Sequence, residues 1–238
     1  DSSELWRAFA SIEHSTSSYR PYAVISYTND TTKPTISSVS KSTSSWTKSS
    51  VKLTVNASDN SEYGISKYSF DDGATWQSNN YKSFSSNQTV KIKVKDFSGN
   101  ISTTKSVTIT NIDTSAPTAE ISLNPSSWTN GSVTATITVR DNAALAYYVL
   151  NGTTQNIDTD GSEGYTEKTY TKTYTGNTDL SLTIYDAAGN SKTITKTINK
   201  IDKVAPVISS VSGNASSWTN QNVTLTINAN DALSGLHS

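Results

Sequence analysis

One eleven-residue pattern recurs three times along the chain, and it constrains the fold more than any other feature. The copies around Trp46, Trp128 and Trp218 each read Ser-Trp-Thr, followed by a stretch in which apolar and polar residues alternate. Successive Trp residues lie 82 and 90 residues apart. Similarity at a long, nearly constant period predicts an array of like modules. An array of small β modules is typical of a spacer or an adhesive surface, and not of an enzyme.

The alternating stretches predict antiparallel β-strands with one buried and one solvated face. They cover residues 51–57, 90–94, 180–184 and 223–229. Only 33% of the chain is hydrophobic, but the apolar residues fall in this alternation, which suits thin sandwiches with a narrow core. We expect Val51, Leu53 and Val55 to point into one core. Their counterparts Val133, Ala135 and Ile137 should point into another.

Proline-containing segments mark the boundaries between the repeats. Pro34, Pro117 and Pro206 each lie 11 or 12 residues before one of the three Trp residues. Because proline lacks the N–H that a β-ladder needs, it is expected in a linker or at the start of an edge strand. The predicted units are 1–32 (the end of a preceding β-sandwich and a linker), 33–113, 114–202 and an incomplete third repeat, 203–238. The second repeat is longer, and we expect residues 155–174 to form a long hairpin or loop.

The order and spacing of these motifs resemble a known family. The segments Leu-Thr-Val-Asn-Ala-Ser-Asp ending at Asp59, Val-Lys-Asp-Phe-Ser-Gly-Asn ending at Asn100 and Ile-Asp-Thr-Ser-Ala-Pro ending at Pro117 are similar to the bacterial immunoglobulin-like repeats of Gram-positive surface proteins. The resemblance implies an all-β fold of tandem immunoglobulin-like antiparallel β-sandwiches. It also implies a non-enzymatic spacer or stalk that is extracellular, either secreted or associated with the cell wall.

Residues 1–29 belong to none of the repeats. Residues 9–13 and 19–27 resemble the final strands of DNRLRE-type β-sandwich modules, which are linked to polysaccharide binding. This resemblance implies that a carbohydrate-binding module precedes the repeats.

Composition excludes several classes of function. The net charge is −1, so a nucleic-acid partner is not expected. The chain has no Cys, which excludes disulfides and thiolate metal sites, and no apolar run long enough for a membrane span. The two histidines, His14 and His237, fall in opposite terminal regions, and no pairing of a nucleophile with a base is evident. We therefore expect a protein that is not an enzyme.

Aromatic residues suggest an alternative function, an adhesive or carbohydrate-binding module with a polysaccharide or host-surface ligand. The candidate exposed rings are Tyr147, Tyr148, Tyr165, Tyr170 and Tyr174. The repeated Trp residues have a different interpretation. Each lies five residues before a core strand, so we expect Trp128 and its counterparts to be mostly buried at the end of a sandwich.

Acidic residues recur at fixed places in the repeats and suggest calcium as a ligand. Asp113 and Asp202 lie in the linkers, Asp59, Asp141 and Asp231 follow the second strand, and Asp96 and Asp186 open a Gly-Asn turn. Calcium prefers several oxygen ligands, so the candidate metal residues are Asp59, Asp113, Asp141 and Asp202. The alternative is that each Asp only caps a turn by accepting backbone N–H bonds. Both interpretations remain open at this point.

The two ends of the chain suggest self-association. Residues 22–27 alternate with apolar side chains on both faces, which predicts an edge strand able to pair with an open sheet. The third repeat would supply such a sheet, because it ends after two strands. Pairing between copies gives a homopolymer, or fibre. The alternative is that larger domains complete both ends, and that the partners are only neighbouring repeats of the same chain.

Overall fold

The computed structural model describes Ser15 and residues 30–158, 161–213 and 216–236. These residues form fifteen β-strands and no helix. The strands are β1 Thr35–Lys41, β2 Val51–Ser58, β3 Ile65–Ser69, β4 Tyr81–Phe84, β5 Gln88–Asp96, β6 Lys105–Ile109, β7 Thr118–Asn124, β8 Val133–Arg140, β9 Leu145–Leu150, β10 Thr153–Asn156, β11 Glu167–Tyr174, β12 Thr178–Asp186, β13 Ser191–Ile198, β14 Val207–Ser212 and β15 Thr226–Asn230. No helix able to cross a membrane is therefore found in these ranges. His14, His237 and the predicted strand 22–27 lie outside the described residues.

The first sandwich consists of β1–β6. Its two sheets have the orders β1-β2-β4 and β3-β5-β6, and every pair is antiparallel. Val51, Leu53 and Val55 are at most 1% exposed, whereas Lys52 between them is exposed. The period-2 alternation of the sequence thus becomes one buried and one solvated face.

The second sandwich consists of β7–β13 and repeats this arrangement. Its sheets have the orders β11-β8-β7 and β10-β9-β12-β13, so β10 is the one strand without a counterpart in the first sandwich. Val133, Ala135 and Ile137 are at most 2% exposed, as expected. The fold class predicted from the sequence, an all-β chain of antiparallel β-sandwiches, is confirmed.

Threonine pairs explain why so polar a chain forms stable sheets. On the outer faces, hydroxyl groups of facing strands are 3.3 Å apart for Thr134 and Thr173 and 2.8 Å apart for Thr183 and Thr193. Threonine is β-branched, which favours the strand, and its hydroxyl forms a hydrogen bond across the strands.

The long middle of the second repeat differs from its prediction. Residues 155–174 were expected to form a hairpin or loop, but Glu167–Tyr174 is β11, which pairs with β8 along its whole length. This strand corresponds to the shorter β4, which pairs with β2. The residues without a counterpart are β10 and the loop that follows it. A longer edge strand and a true insertion give the same extra length in the sequence.

The third repeat forms one two-stranded sheet, β14-β15, in the described part of the chain. Its apolar residues are exposed, with Val211 at 58% and Ile227 at 59%. The strand predicted at residues 223–229 begins only at Thr226, so that prediction is partly wrong. The β14-β15 sheet has an apolar face, and the described residues form no opposing sheet that would cover it.

The exit segment of the first sandwich, residues 111–113, is bound on both sides. On one side the N–H of Thr47 donates to the carbonyl of Asn111, and the N–H of Asp113 donates to the carbonyl of Thr47, both at 2.9 Å. On the other side the side chain of Asn87 bonds both the N–H and the carbonyl of Ile112, at 2.9 and 2.8 Å. The Asn87 amide thus donates one hydrogen bond and accepts one, as the backbone of a neighbouring strand would do.

The exit segment of the second sandwich, residues 200–202, is bound in the same way. Thr129 bonds Lys200 and Asp202 at 3.0 and 2.9 Å, and the Asn177 amide bonds both backbone groups of Ile201. The Ser-Trp-Thr motif therefore holds the point where the chain leaves each sandwich. This places the Trp of one repeat beside the first residues of the next.

Candidate functional site

The described residues contain two clusters of three acids, each at the start of a sandwich. The first triad is Asp30, Asp59 and Asp96, and the second triad is Asp113, Asp141 and Asp186. Within each triad, the acids offer oxygen atoms that all lie within 4.8 Å of one another. In the second triad, one acid comes from the exit segment, one follows β8 and one ends β12. The sandwich topology therefore joins three distant parts of the sequence.

In the second triad, Asp113 is buried, and one of its two carboxylate oxygens has no hydrogen-bond partner. It is 4% exposed, and its Oδ1 accepts from the N–H of Ser115 at 3.0 Å and from the Asn142 amide at 3.3 Å. Its Oδ2 is buried and has no hydrogen-bond partner. The turn after the exit segment fixes one carboxylate oxygen and leaves the other unsatisfied.

Asp141 repeats this division between its two oxygens. Its Oδ2 accepts from the N–H groups of Ala143 and Ala144 at 2.8 and 3.1 Å, and its Oδ1 is buried without a partner. Burial, and then the charges of Asp113 and Asp186, raise the pKa of Asp141. Both causes disfavour the negatively charged form of the Asp141 carboxyl group.

Asp186 is held by the Gly-Asn turn that it opens. Its Oδ1 accepts from the N–H of Asn190 at 2.7 Å, and its Oδ2 accepts from the Asn190 amide at 2.8 Å. The same amide nitrogen donates to the carbonyl of Asp113 at 3.1 Å. Asn190 therefore joins the turn of the second sandwich to the exit segment of the first.

The first triad has the same atomic arrangement. Asp30 Oδ2 and Asp59 Oδ1 are buried without partners, as are the equivalent atoms of the second triad. Asn100 bonds both oxygens of Asp96 and the carbonyl of Asp30, with distances of 2.8 to 2.9 Å. One difference concerns Asp59, whose pKa is lowered by hydrogen bonds from Ser61.

Asp202 does not belong to a triad in the described residues. Its Oδ1 accepts from the N–H of Val204 at 2.9 Å, and its Oδ2 accepts from the N–H of Ser234 at 3.0 Å. Asp231 likewise accepts from the N–H groups of Leu233 and Gly235. At this place the acids cap turns, which was the alternative interpretation.

The sequence found half of the triad residues. Asp59, Asp113 and Asp141 were metal candidates, whereas Asp96 and Asp186 were seen only as the start of a turn. Asp30 was missed, although it precedes Pro34 by four residues just as Asp113 precedes Pro117. Metal binding itself stays a prediction for all of them.

The five tyrosines named as ligand candidates lie in different places. Tyr148 and Tyr170 are in tilted contact, with ring centroids 4.8 Å apart, and border a groove of about 240 Å³ between the β9-β10 and β8-β11 edges of the second sandwich. Tyr174 is partly buried against the same core. Tyr147 stacks on Tyr185 on the outer face, and the ammonium of Lys168 lies 3.2 Å from the ring centroid of Tyr165.

The burial of each tyrosine determines whether its ring is accessible to a ligand. The expectation that Tyr148 is exposed is wrong, because it is 6% exposed and part of the core. Burial raises the pKa values of Tyr148 and Tyr170, so both phenols stay neutral at ordinary pH. Their hydroxyl groups remain able to donate and accept hydrogen bonds.

The prediction that Trp128 is mostly buried is wrong, since it is 41% exposed. Trp46 is half-buried, and the second sandwich lies against it: a methyl group added at Gly161 would be 2.7 Å from Trp46 Cδ1 and 2.7 Å from the Cβ of Ala187. The ring therefore packs at the contact with the next unit, outside its own sandwich core.

No model of a protein family matches the chain, and no curated protein matches it. Among solved structures, the chain is similar to the fibronectin(III)-like modules of CbhA from Clostridium thermocellum, with 15% identity, a TM-score of 0.30 and coverage of 67% of this chain and 92% of that one. It is also similar to SGBP-B of the Bacteroides ovatus mixed-linkage glucan utilization locus, solved with a mixed-linkage heptasaccharide. There the identity is 15%, the TM-score 0.21, and the coverage 73% of this chain and 46% of that one. At these values the likenesses carry no information about a ligand.

Proposed function

We propose that the chain is a non-enzymatic spacer, or stalk segment, of an extracellular bacterial surface protein. The observation that best supports this role is the continuous bonding at the boundary between the first two sandwiches. Residues 111–113 are bound to the first sandwich through Thr47 and Asn87, and Asp113 is bound to the second through Asn142 and Asn190. A chain with bonded junctions of this kind can hold its units at a fixed separation.

The finer parts of this proposal rest on the sequence. Units 33–113 and 114–202 are the proposed repeats, and the location on the surface or in the wall of a Gram-positive bacterium follows from the family resemblance. The polar outer rows, with their threonine ladders, suit a surface that faces water on all sides.

A distance measurement between the sandwiches tests the spacer role. The chain contains no Cys, so spin labels can be placed at Ser106→Cys in β6 and Thr195→Cys in β13, both of which are exposed. Pulsed electron resonance should give a narrow distance distribution. A matched variant with a Gly-Ser insertion after Asp113 should broaden it while both sandwiches keep their melting temperatures. A distribution that is already broad without the insertion would contradict the proposal.

The groove beside Tyr148 and Tyr170 favours a second function, carbohydrate binding. Tyr148 and Tyr170 line it together with the polar side chains of Thr153, Gln155 and Lys172, a composition that suits a sugar. Binding of soluble polysaccharides to the whole chain, measured by calorimetry, tests this function. Tyr170→Ala should abolish binding. Tyr147 is a half-buried tyrosine on the outer face, so Tyr147→Ala should leave binding unchanged. Equal effects of the two variants would reject the groove.

Self-association into fibres remains a further prediction, because it depends on residues 22–27. Light scattering at high concentration should then detect filaments, and deletion of residues 1–29 should remove them. A chain that stays monomeric would contradict the fibre hypothesis.

A further inference from the structure

We propose that each triad binds one calcium ion, which ties the entering segment of a sandwich to the ends of two of its own strands. In the second triad the entering segment is also the exit segment of the first sandwich. Calcium would therefore fasten the two sandwiches to each other through Asp113. The inference does not depend on the spacer role, because ion binding and the distance between units are measured separately.

The unsatisfied oxygens are the first argument for an ion. Asp113 is 4% exposed, and its Oδ2 has no partner although Ser115 and Asn142 bond its Oδ1. Buried polar atoms in folded proteins are normally hydrogen-bonded, so this oxygen calls for a partner such as an ion. Asp141 Oδ1 is a second exception in the same triad.

Charge is the second argument. Each triad contains three carboxylates, and the ion pairs among the described residues involve other acids, Asp72 and Glu167. Burying like charges without a counter-ion is costly. A divalent cation at the centre would neutralise most of this charge and use the free oxygens as ligands.

Recurrence is the third argument, and the third repeat serves as an internal comparison. Both triads leave the same two oxygens unsatisfied, one on the entering Asp and one on the Asp after the second strand. At Asp202, where the described residues supply no third acid, the corresponding oxygen accepts from the N–H of Ser234 instead. The acids cap turns in all three repeats, but the entering Asp keeps an oxygen without a partner only where the triad is complete.

The ligand atoms decide the type of ion. The triads offer only oxygen, which favours calcium or magnesium over zinc or copper. Calcium accepts irregular arrangements of carboxylates, whereas magnesium demands a near-octahedral site and keeps several waters. Because the three acids come from separate segments with orientations set by their turns, calcium fits better. We expect a Kd of roughly 0.1 to 1 mM, as in extracellular calcium modules.

Counting ions in variants of the full chain tests the proposal. Equilibrium dialysis with calcium chloride should give two ions per chain, and one for Asp59→Asn or Asp141→Asn. The double variant should bind none. Asparagine keeps an oxygen that can accept from Ala143 and Ala144, so the turn should survive. The matched control is Asp231→Asn, which has the same place in the third repeat and should leave two ions bound.

A second measurement guards against variants that fail to fold. Calcium should raise the melting temperature of the unmodified chain and of Asp231→Asn, because an ion that binds only the folded state stabilises it. It should have no effect on the double variant, whose circular dichroism must match that of the parent.

Two results would overturn the proposal. One is the absence of calcium uptake by the folded full chain at several millimolar calcium chloride. The other is the same loss of ions in Asp231→Asn as in Asp141→Asn, which would indicate nonspecific binding to acidic surface.

Discussion

The two junctions of the chain begin with the same motif but differ in what lies against it. At the first junction, Trp46 is half-buried and lies against Gly161, which precedes β11. At the second junction, Trp128 is 41% exposed and borders an open cleft of about 520 Å³ that continues to Gly235. Both exit segments are bound in the same way, so the difference arises beyond the Ser-Trp-Thr motif.

The comparison shows that burial of the Trp is a property of the junction. The motif holds the exit segment, while the following unit supplies the surface that covers the ring. At the first junction this surface includes the loop after β10, a feature found only in the second sandwich among the described units. A repeated sequence can therefore have two different environments.

The largest expected loss of stability concerns the asparagine side chains that bind both exit segments. Asn87→Ala and Asn177→Ala each leave the N–H and carbonyl of a buried isoleucine, Ile112 or Ile201, without that partner. Each should lower the free energy of unfolding of its sandwich by about 2 to 4 kcal/mol. Urea denaturation measures the loss. Clearly unequal losses would mean that the two exit segments are not held equivalently.

The next effect is specific to the first junction. Gly161 has φ 72° and Gly164 has φ 65°, but only Gly161 lies against other side chains. Gly164→Ala should cost about 1 to 2 kcal/mol through its backbone alone. Gly161→Ala should cost about 1 kcal/mol more, because the methyl group would collide with Trp46 and Ala187. Equal costs in urea denaturation would show that Trp46 is free to move away.

A third prediction compares the rings directly. Trp46→Ala should destabilise the chain by about 2 kcal/mol and Trp128→Ala by about 1 kcal/mol, since less of the second ring is removed from water. Thermal unfolding and tryptophan fluorescence check both values. A larger loss for Trp128→Ala would imply that the second junction is also packed in solution.

The smallest effect is a pH dependence of opposite sign at the two junctions. A backbone N–H bond from Val204, followed by bonds from Ser234, lowers the pKa of Asp202 below 3.8. Its stabilisation is present above 3.8 and is lost as the pH falls through the folded value. Burial raises the pKa of Asp141, so its contribution is present below 3.8 and is lost as the pH rises through the folded value. Carboxyl titration of the calcium-free chain by NMR should separate the two midpoints; a common midpoint would contradict the difference.

The sequence predicted the parts of the fold that depend on local alternation. Val51 to Val55 and Val133 to Ile137 lie in the cores as expected, because period-2 patterns report directly on which side of a strand is buried. The edge strand β10 was not predicted, since the four residues of Thr153–Asn156 are polar and exposed and show no apolar alternation. Its pairing with β9 follows from the turn at Asn151 and Gly152, both of which have positive φ.

The site was harder to predict than the fold. The recurrence of Asp59 and Asp141 drew attention to two acids that the fold places in the triads, but recurrence alone fits turn capping equally well. The observation that favours an ion is which oxygens remain without partners after the turns have formed, and that depends on three segments meeting. The Trp prediction failed for a related reason, because proximity to a core strand does not say whether a neighbouring unit covers the ring.

The doubly bound exit segment determines how a stretched chain would resist force. The bridge between Thr47 and Ile112 is parallel, and the Asn87 amide bonds the opposite side of Ile112. Tension applied through the two ends of a sandwich pulls these parallel segments past each other, so their hydrogen bonds are loaded in shear and share the strain. Hydrogen bonds at the end of an antiparallel hairpin would instead break one after another. In a chain under tension, each exit segment would therefore resist extension at the point where one unit joins the next.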